Sequence, residues 1–164
     1  MEYSNANEEL EDGFGWLQAT AYSLALPEEL VFDKRGFEYS FRDTIVRSNE
    51  TKTMSLEAMS KFNDERKEGK AQLALVKNTI DSLSQSFADT YTFSDQKAQK
   101  LRWGTAAWTD GTNKTENEFI RVFTMSNINS QVILLFREKN ITEQEFEKKA
   151  DYIIFSVQLM EFGY

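Results

Sequence analysis

The chain has 164 residues, of which 40% are hydrophobic, so it is long enough for one domain with a packed core. Its formal net charge is -8 at pH 7, which disfavours binding to nucleic acid and to anionic membrane surfaces, because both repel an acidic protein. The sequence contains no cysteine and no histidine, which excludes disulfides, thiolate nucleophiles, Cys or His metal sites and histidine general bases.

The N-terminal range 1–15 is rich in acidic and small polar residues, and we interpret it as a flexible acidic arm. Between Trp16 and Leu26, larger apolar residues alternate with small ones, which predicts a strand that ends at Pro27. We expect the remaining range 16–164 to form a single α+β domain.

A turn is predicted at 33–36, where charged residues are followed by a glycine. After the turn, Phe37, Tyr39 and Phe41 alternate with polar residues, which predicts a second strand that reaches Ile45 and has one wet face. Strands that follow one another along the chain usually pair, so we expect a hairpin between these two predicted strands.

Apolar residues then recur every three or four positions, first at 56–62 and again at 73–87. This spacing predicts one long helix or two consecutive helices. Gly69 lies inside the polar range 63–70 and is the expected break, because glycine destabilises a helix interior by about 1 kcal/mol relative to alanine.

Three further strands are predicted at 101–108, 119–125 and 131–136, with turns at 110–111 and 127–130. The apolar run in the last of these strands does not alternate, which is typical of a central strand covered on both faces. We therefore expect a mostly antiparallel sheet.

The final helix has the clearest local signal. Thr142 followed by Glu145 forms a capping box, and Ile141 with Phe146 forms a hydrophobic staple. The apolar face of this helix is expected to continue to Met160 and to pack on the sheet. Together the elements predict an α+β fold, an antiparallel β-sheet packed with a long central helix and a C-terminal helix.

This order of elements resembles that of the PsbP-like proteins, which include a nuclear-import factor that binds the small GTPase Ran and the bacterial DcrB-like lipoproteins and chaperones. The resemblance spans 17–162 and is carried by the strand at 22–27, the expected helix start near Ser55, and the segments 100–108 and 146–157. It implies a PsbP-like α/β/α sandwich that acts chiefly by binding other proteins. Some bacterial members shelter apolar helices of secreted effectors on the open sheet face, and no catalytic residue is implied.

The residues that we expect to contact a partner are aromatics on two predicted strands: Phe37, Tyr39, Phe41, Trp103 and Trp108. Trp103 and Trp108 have opposite parity on one predicted strand, so at least one of them is expected to leave the main core. Exposed aromatics of this kind dominate many protein interfaces. Burial of both tryptophans beneath helices on the two sheet faces is the alternative.

The sequence therefore favours a non-enzymatic protein-binding module, chaperone-like or an accessory protein of the cell envelope, that uses an aromatic-lined sheet face. The alternative is an acidic immunity or inhibitor protein that neutralises a basic partner. A third hypothesis is a carboxylate-based hydrolase, which requires two acidic side chains that converge in a pocket.

We expect no metal and no cofactor. The polar segment 110–118 lacks the acids and the glycine of a calcium-binding EF-hand loop, and the glycines do not form a phosphate-binding loop. No apolar run approaches the roughly 20 residues needed to cross a bilayer, so no membrane insertion is expected. The chain as given is interpreted as cytoplasmic, and an exported or envelope location stays open if a signal sequence was removed.

Overall fold

The computed structural model describes residues 9–37 and 43–161, which form eleven strands and two helices. The strands are β1 (Phe14–Gln18), β2 (Tyr22–Pro27), β3 (Phe32–Phe37), β4 (Asp43–Ser48), β5 (Met54–Phe62), β6 (Thr92–Phe93), β7 (Lys97–Leu101), β8 (Gly104–Asn113), β9 (Glu118–Ser126), β10 (Ser130–Lys139) and β11 (Gln158–Leu159). The helices are α1 (Lys70–Ser86) and α2 (Glu143–Phe155).

Two antiparallel sheets organise the described residues. The larger sheet has the order β3-β4-β5-β10-β9-β8-β6, and β7 pairs with β8 on the same side as β6. The smaller sheet has the order β1-β2-β11. The predicted fold class, α+β with an antiparallel sheet and two packed helices, is confirmed.

Each face of the larger sheet has its own hydrophobic cluster. The main cluster joins the sheet to α2 and to the smaller sheet, and its fully buried members include Tyr22, Phe123 and Phe146. The second cluster lies beneath α1, where Val76 and Ile80 pack against β8, β9 and β10. The layers are therefore α1, the larger sheet, and a mixed layer of α2 with the smaller sheet.

Strand β10 occupies the centre of the larger sheet, between β5 and β9. Its residues Leu134 and Phe136 belong to the main cluster, whereas Leu135 belongs to the cluster beneath α1. Both faces of this strand need apolar side chains, which explains why its sequence does not alternate. The prediction of a central strand at 131–136 is confirmed.

Helix α2 begins as the sequence predicts. The Thr142 side chain accepts a hydrogen bond from the Glu145 backbone N–H at 3.2 Å, and Phe146 is fully buried. The helix ends at Phe155, so the predicted continuation of its apolar face to Met160 is wrong: Met160 lies beyond β11 and is 45% exposed.

The helix predicted at 56–62 is wrong, because this range lies in strand β5. Met54, Leu56, Ala58 and Ser60 are buried and alternate with half-buried neighbours. Met59 lies on the opposite face of the strand from Leu56 and Phe62, and the three together have a three-residue spacing that imitates a helix. Gly69, the expected break, is the N-cap of α1, with a φ of 51° that favours glycine.

The turn predicted at 110–111 is also wrong, because Gly111 lies inside β8. A Cβ at Gly111 would lie 2.7 Å from the Phe93 ring, so this glycine allows Phe93 to pack closely rather than making a turn. The predicted turn at 127–130 agrees with the β9–β10 connection.

The N-terminal elements pair differently from the expectation. The range 33–36, predicted as a turn, belongs to β3, an edge strand of the larger sheet, where charged residues are common. Strand β2 pairs with β1 and β11 instead of forming a hairpin with the next strand. Strand β1 begins at Phe14, inside the range assigned to the acidic arm.

Candidate partner-binding site

Trp103 lies in the tight turn between β7 and β8, and not on a strand. Leu101 and Gly104 pair across this turn, which contains only Arg102 and Trp103. The Trp103 side chain is half-buried against the main cluster, and the Arg102 guanidinium lies 5.2 Å from the centre of its ring. An arginine stacked in this way is favourable for a cation–π contact that holds the ring in place.

Gly104 allows the first residues of β8 to approach the end of β9. A Cβ at this position would lie 2.5 Å from the carbonyl oxygen and 2.9 Å from the carbonyl carbon of Ser126. Because those atoms belong to the backbone, no side-chain rotation relieves the clash. The sequence after Trp103 therefore requires glycine, and this close approach helps to place the tryptophan beside the β9–β10 loop.

A groove of about 640 Å³ opens beside Trp103. It lies between β7, the start of α1 and the β9–β10 loop, and we call it the Trp103 groove. Its apolar lining consists of Leu73, Ala98, Leu101, Trp103 and Ile128. Leu73 is 37% exposed, although its spacing in α1 predicted a place in the core. The groove thus presents apolar surface to solvent.

Hydrogen bonds hold the walls of the groove together. The Thr105 hydroxyl donates to Gln72 Oε1 at 3.0 Å, and Gln72 Nε2 donates to the Lys67 carbonyl at 2.8 Å. Asn63 Nδ2 lies 3.2 Å from both the Asn127 and the Ile128 carbonyl oxygens. These bonds link α1 to β8 and the segment before α1 to the β9–β10 loop, so the groove is largely preformed.

Lys100 and Arg102 line the Trp103 groove together with Glu68 and Glu161. Lys97 lies earlier on β7, beside a second cavity. Lys97, Lys100 and Arg102 fall within six residues of one another, and β7 is exposed along most of its length. Within the described part of the chain, none of these three side chains forms an ion pair, whereas Glu68 on the rim pairs with Arg66 at 3.6 Å. Lys100 and Arg102 are therefore available to attract acidic groups at this edge of the sheet.

A second cavity, of about 530 Å³, lies between the β6–β8 edge and the first turns of α2, and we call it the α2 cleft. Trp108, Phe119 and Phe146 contribute its apolar walls. Its charged lining comprises Asp95, Lys97, Asp110, Glu143 and Glu147. Acidic groups outnumber basic groups here, whereas two of each line the Trp103 groove.

Beside this cleft, a buried arginine joins β8, β9 and α2. Arg121 Nε and Nη2 lie 2.6 and 2.7 Å from the two Asp110 carboxylate oxygens, and Nη1 donates to Asp151. Burial alone lowers the pKa of the Arg121 guanidinium, but the hydrogen bonds and charges of Asp110 and Asp151 outweigh it and raise the pKa. Arg121 therefore stays charged and fixes α2 on the sheet.

The structure divides the sequence-predicted contact residues. Trp103 lines the groove, but Trp108 is only 6% exposed, with Phe155 packed edge-on against it at 5.8 Å. Trp108 is therefore a core residue, and its prediction as an exposed anchor is corrected. The reason is that β8 has α1 on one face and α2 on the other, so strand residues of either parity are covered.

Phe37, another predicted contact residue, lies at the opposite edge of the larger sheet. Phe37 ends β3, and strands β4, β5, β10 and β9 separate β3 from β8. Strand β3 and the Trp103 groove therefore lie at opposite edges of the sheet and do not form one surface. Tyr39 and Phe41 lie outside the described residues, and the described features of Phe37 are limited to its backbone.

Sequence reasoning missed Lys100, Leu73 and Ile128 as parts of the site. Strand β7 was not predicted, because its short polar sequence has no apolar alternation. Its lysines were the available signal, since lysine is common on edge strands. Leu73 was assigned to a helix core face, and Ile128 to a turn.

Across 9–37 and 43–161, no cluster of three or more acidic side chains is arranged to hold a metal ion. Neither helix within these ranges is long and apolar enough to cross a membrane.

Comparisons with known proteins address the fold. No family model and no curated protein matches the sequence. The solution structure of cyanobacterial PsbP (CyanoP) from Synechocystis sp. PCC 6803 aligns with a TM-score of 0.64 and 7% sequence identity, over 90% of this chain and 93% of that chain. A crystal structure from Bacteroides thetaiotaomicron aligns with a TM-score of only 0.39 and 8% identity, over 87% of this chain and 46% of that chain. The chain has a PsbP-like α+β fold.

Proposed function

We propose that the protein is a non-enzymatic protein-binding module, of an accessory or chaperone-like kind, that holds a segment of a partner protein in the Trp103 groove. The observation that carries the proposal is a half-exposed tryptophan held beside Leu73 and Ile128 in a preformed groove. Tryptophan anchors of this type contribute a large share of the free energy at many interfaces. The PsbP-like fold is consistent with this class of function.

The groove is a better candidate than the uncovered part of the larger sheet. Helix α1 packs on β8 and β9, so the face of β5 on this side is less covered. That face carries Glu57 and Lys61 beside Met59, and Arg137 of β10 pairs with Glu57 at 3.5 Å. The cavity on this surface, which Met59 and Ile133 line together with Lys61, has only about 140 Å³ against about 640 Å³ for the Trp103 groove, so it holds less of a partner segment.

The proposal that the protein is not an enzyme is supported by the absence of histidine and cysteine and by the ion pairs of its half-buried carboxylates Asp110 and Glu138. Asp110 in the α2 cleft is bound at both oxygens by Arg121. Burial raises the pKa of Glu138, but Lys149 Nζ lies 2.8 and 3.1 Å from its two oxygens and partly offsets the shift. Carboxylates held in ion pairs of this kind are poor general acids or bases.

The experiment compares the wild type with Trp103→Ala. Immobilised wild-type protein would capture partners from the native cell, mass spectrometry would identify them, and calorimetry with the purified partner would measure affinity. We expect Trp103→Ala to weaken binding by about 2 kcal/mol or more, as for an interface hot spot. Phe155→Ala, which removes an aromatic ring that is 52% exposed outside the groove, is the matched control.

Thermal unfolding of both variants shows whether a loss of binding reflects a loss of folding. Equal affinity of the wild type and a folded Trp103→Ala variant would contradict the proposal. The same would hold if Phe155→Ala weakened binding as much as Trp103→Ala.

The α2 cleft favours a second candidate function, the neutralisation of a basic partner by an acidic immunity or inhibitor protein. Asp95, Glu143 and Glu147 surround its apolar walls, and a basic side chain with an apolar stem fits such a surface. Under this function, Glu143→Gln with Glu147→Gln would weaken partner binding and Trp103→Ala would not. Binding would also fall steeply with ionic strength.

A further inference from the structure

Strand β7 forms an open edge of the larger sheet directly beside the Trp103 groove. It pairs with β8 on one side. Among the described residues, no backbone hydrogen bond joins its other side to any element. An edge of this kind presents unpaired N–H and C=O groups that are able to bind an added strand.

The turn geometry identifies which backbone groups are free. Leu101 and Gly104 pair across a two-residue turn, and residues that close such a turn form a hydrogen-bonded pair. Hydrogen-bonded and non-hydrogen-bonded pairs alternate along an antiparallel ladder, so Gln99 also bonds to β8. Ala98 and Lys100 therefore direct their N–H and C=O groups away from β8, toward the open edge.

The charges beside this edge indicate the chemistry of an added strand. Lys97 and Lys100 lie on β7 itself, and Arg102 follows it in the turn. None of these cations has an ion-pair partner among the described residues. An acidic segment would complement them, whereas a basic segment would be repelled.

A second copy of this chain is a poorer fit to the edge. Antiparallel pairing of two β7 strands through their Ala98 and Lys100 backbone groups would place the two Lys100 side chains diagonally across one face, where like charges repel. Two molecules that each carry a net charge of -8 also repel one another.

We propose that β7 binds an extended acidic segment of a partner protein by β-strand addition, with an apolar side chain of that segment in the Trp103 groove. This inference rests on the proposed function and specifies its partner. Backbone bonds to Ala98 and Lys100 would supply the alignment, the lysines would select acidic side chains, and Trp103 with Leu73 would receive the apolar one.

The probe is a phage-displayed library of random decapeptides selected on wild-type protein. We expect the selected peptides to be net acidic and to contain an apolar residue for the Trp103 groove. Amide hydrogen exchange, monitored by NMR, then locates the contact. A selected peptide should slow exchange at the Ala98 and Lys100 amides, whereas those of Gln99 and Leu101 are already protected by β8.

Ala98→Pro removes an N–H that points to the open edge and leaves the β7–β8 bonds intact. We expect it to weaken binding of the selected peptide by about three- to tenfold, the loss of one hydrogen bond. Ala98→Val keeps the N–H and is the control. Lys100→Glu should weaken binding more than Lys114→Glu, which makes the same charge change in the β8–β9 turn.

Each contrary result overturns the inference. These results are a failure to select peptides, a neutral or basic selected pool, equal binding by Ala98→Pro and Ala98→Val, and unprotected Ala98 and Lys100 amides. Protection that rises with protein concentration without peptide would identify a second copy as the occupant. If a natural partner still depends on Trp103 while the β7 variants bind it normally, the proposed function stands and strand addition falls.

Discussion

Replacing Arg121 by methionine should lower the free energy of unfolding by about 3 kcal/mol, because the change removes the cation that joins β8, β9 and α2. The Arg121 side chain is 3% exposed, and its carboxylate partners are 22% exposed in Asp110 and 50% exposed in Asp151. Methionine keeps an unbranched apolar stem in the same space. The cost therefore comes mainly from the carboxylates that lose their cation.

The partial exposure of the two carboxylates sets the magnitude. Removing one partner of a fully buried ion pair costs about 3–5 kcal/mol, and the water that reaches Asp110 and Asp151 favours the lower end. Asp151 is half-exposed, so Asp151→Asn alone should cost at most about 1 kcal/mol. Adding Asp110→Leu to Arg121→Met should recover part of the loss, since the carboxylate left without its cation is then removed.

Urea unfolding followed by tryptophan fluorescence measures these free energies, provided that the slope with denaturant is the same in all variants. The reasoning is refuted if Arg121→Met costs less than about 1 kcal/mol. It is also refuted if the double variant with Asp110→Leu is no more stable than Arg121→Met alone. The loss of stability would then not arise from a carboxylate that has lost its cation.

Two further predictions concern single positions. Gly104→Ala should cost about 1–3 kcal/mol, because its Cβ would lie 2.5 Å from the Ser126 carbonyl oxygen, whereas Gly15→Ala, with no atom within 4 Å, should be nearly neutral in the same urea assay. Tyr91 donates a hydrogen bond to Glu118, and burial, together with this bond and charge, raises its pKa from 10.0 to about 12. Because the pKa is higher in the folded state, this group stabilises the fold below pH 10, and the stabilisation is lost as the pH rises toward 12. The free energy of unfolding of the wild type should therefore fall by about 2–3 kcal/mol more than that of Tyr91→Phe over this range. Equal losses in the two proteins would contradict the assignment.

The sequence predicts those elements that begin with a local signal, such as a helix cap, or that are buried on both faces. Thr142 and Glu145 specify the start of α2 through one backbone contact, which the structure contains. The apolar run of β10 predicts a central strand because both faces are covered. The PsbP-like order of elements follows from several such signals taken together.

The sequence-based predictions fail where the same type of residue has different roles at different places in the fold. In β5, Leu56 faces the main cluster while Phe62 is 47% exposed at the strand end, so an apolar residue is not always a core residue. Gly111 looks like a turn residue but makes room for Phe93. Trp103 and Trp108 look alike in sequence, and only the position of the turn before Gly104 separates a groove residue from a core residue.

The distribution of charge also separates the two functional proposals. Much of the surface is acidic, whereas Lys97, Lys100 and Arg102 concentrate positive charge at one sheet edge. An acidic segment approaching β7 is attracted by this edge and repelled by the rest of the molecule, and salt weakens both effects over a Debye length of about 8 Å at physiological ionic strength. These opposed effects make affinity for such a segment only weakly dependent on salt. A basic partner at the α2 cleft is attracted by the cleft and by the net charge together, so its affinity falls steeply with salt.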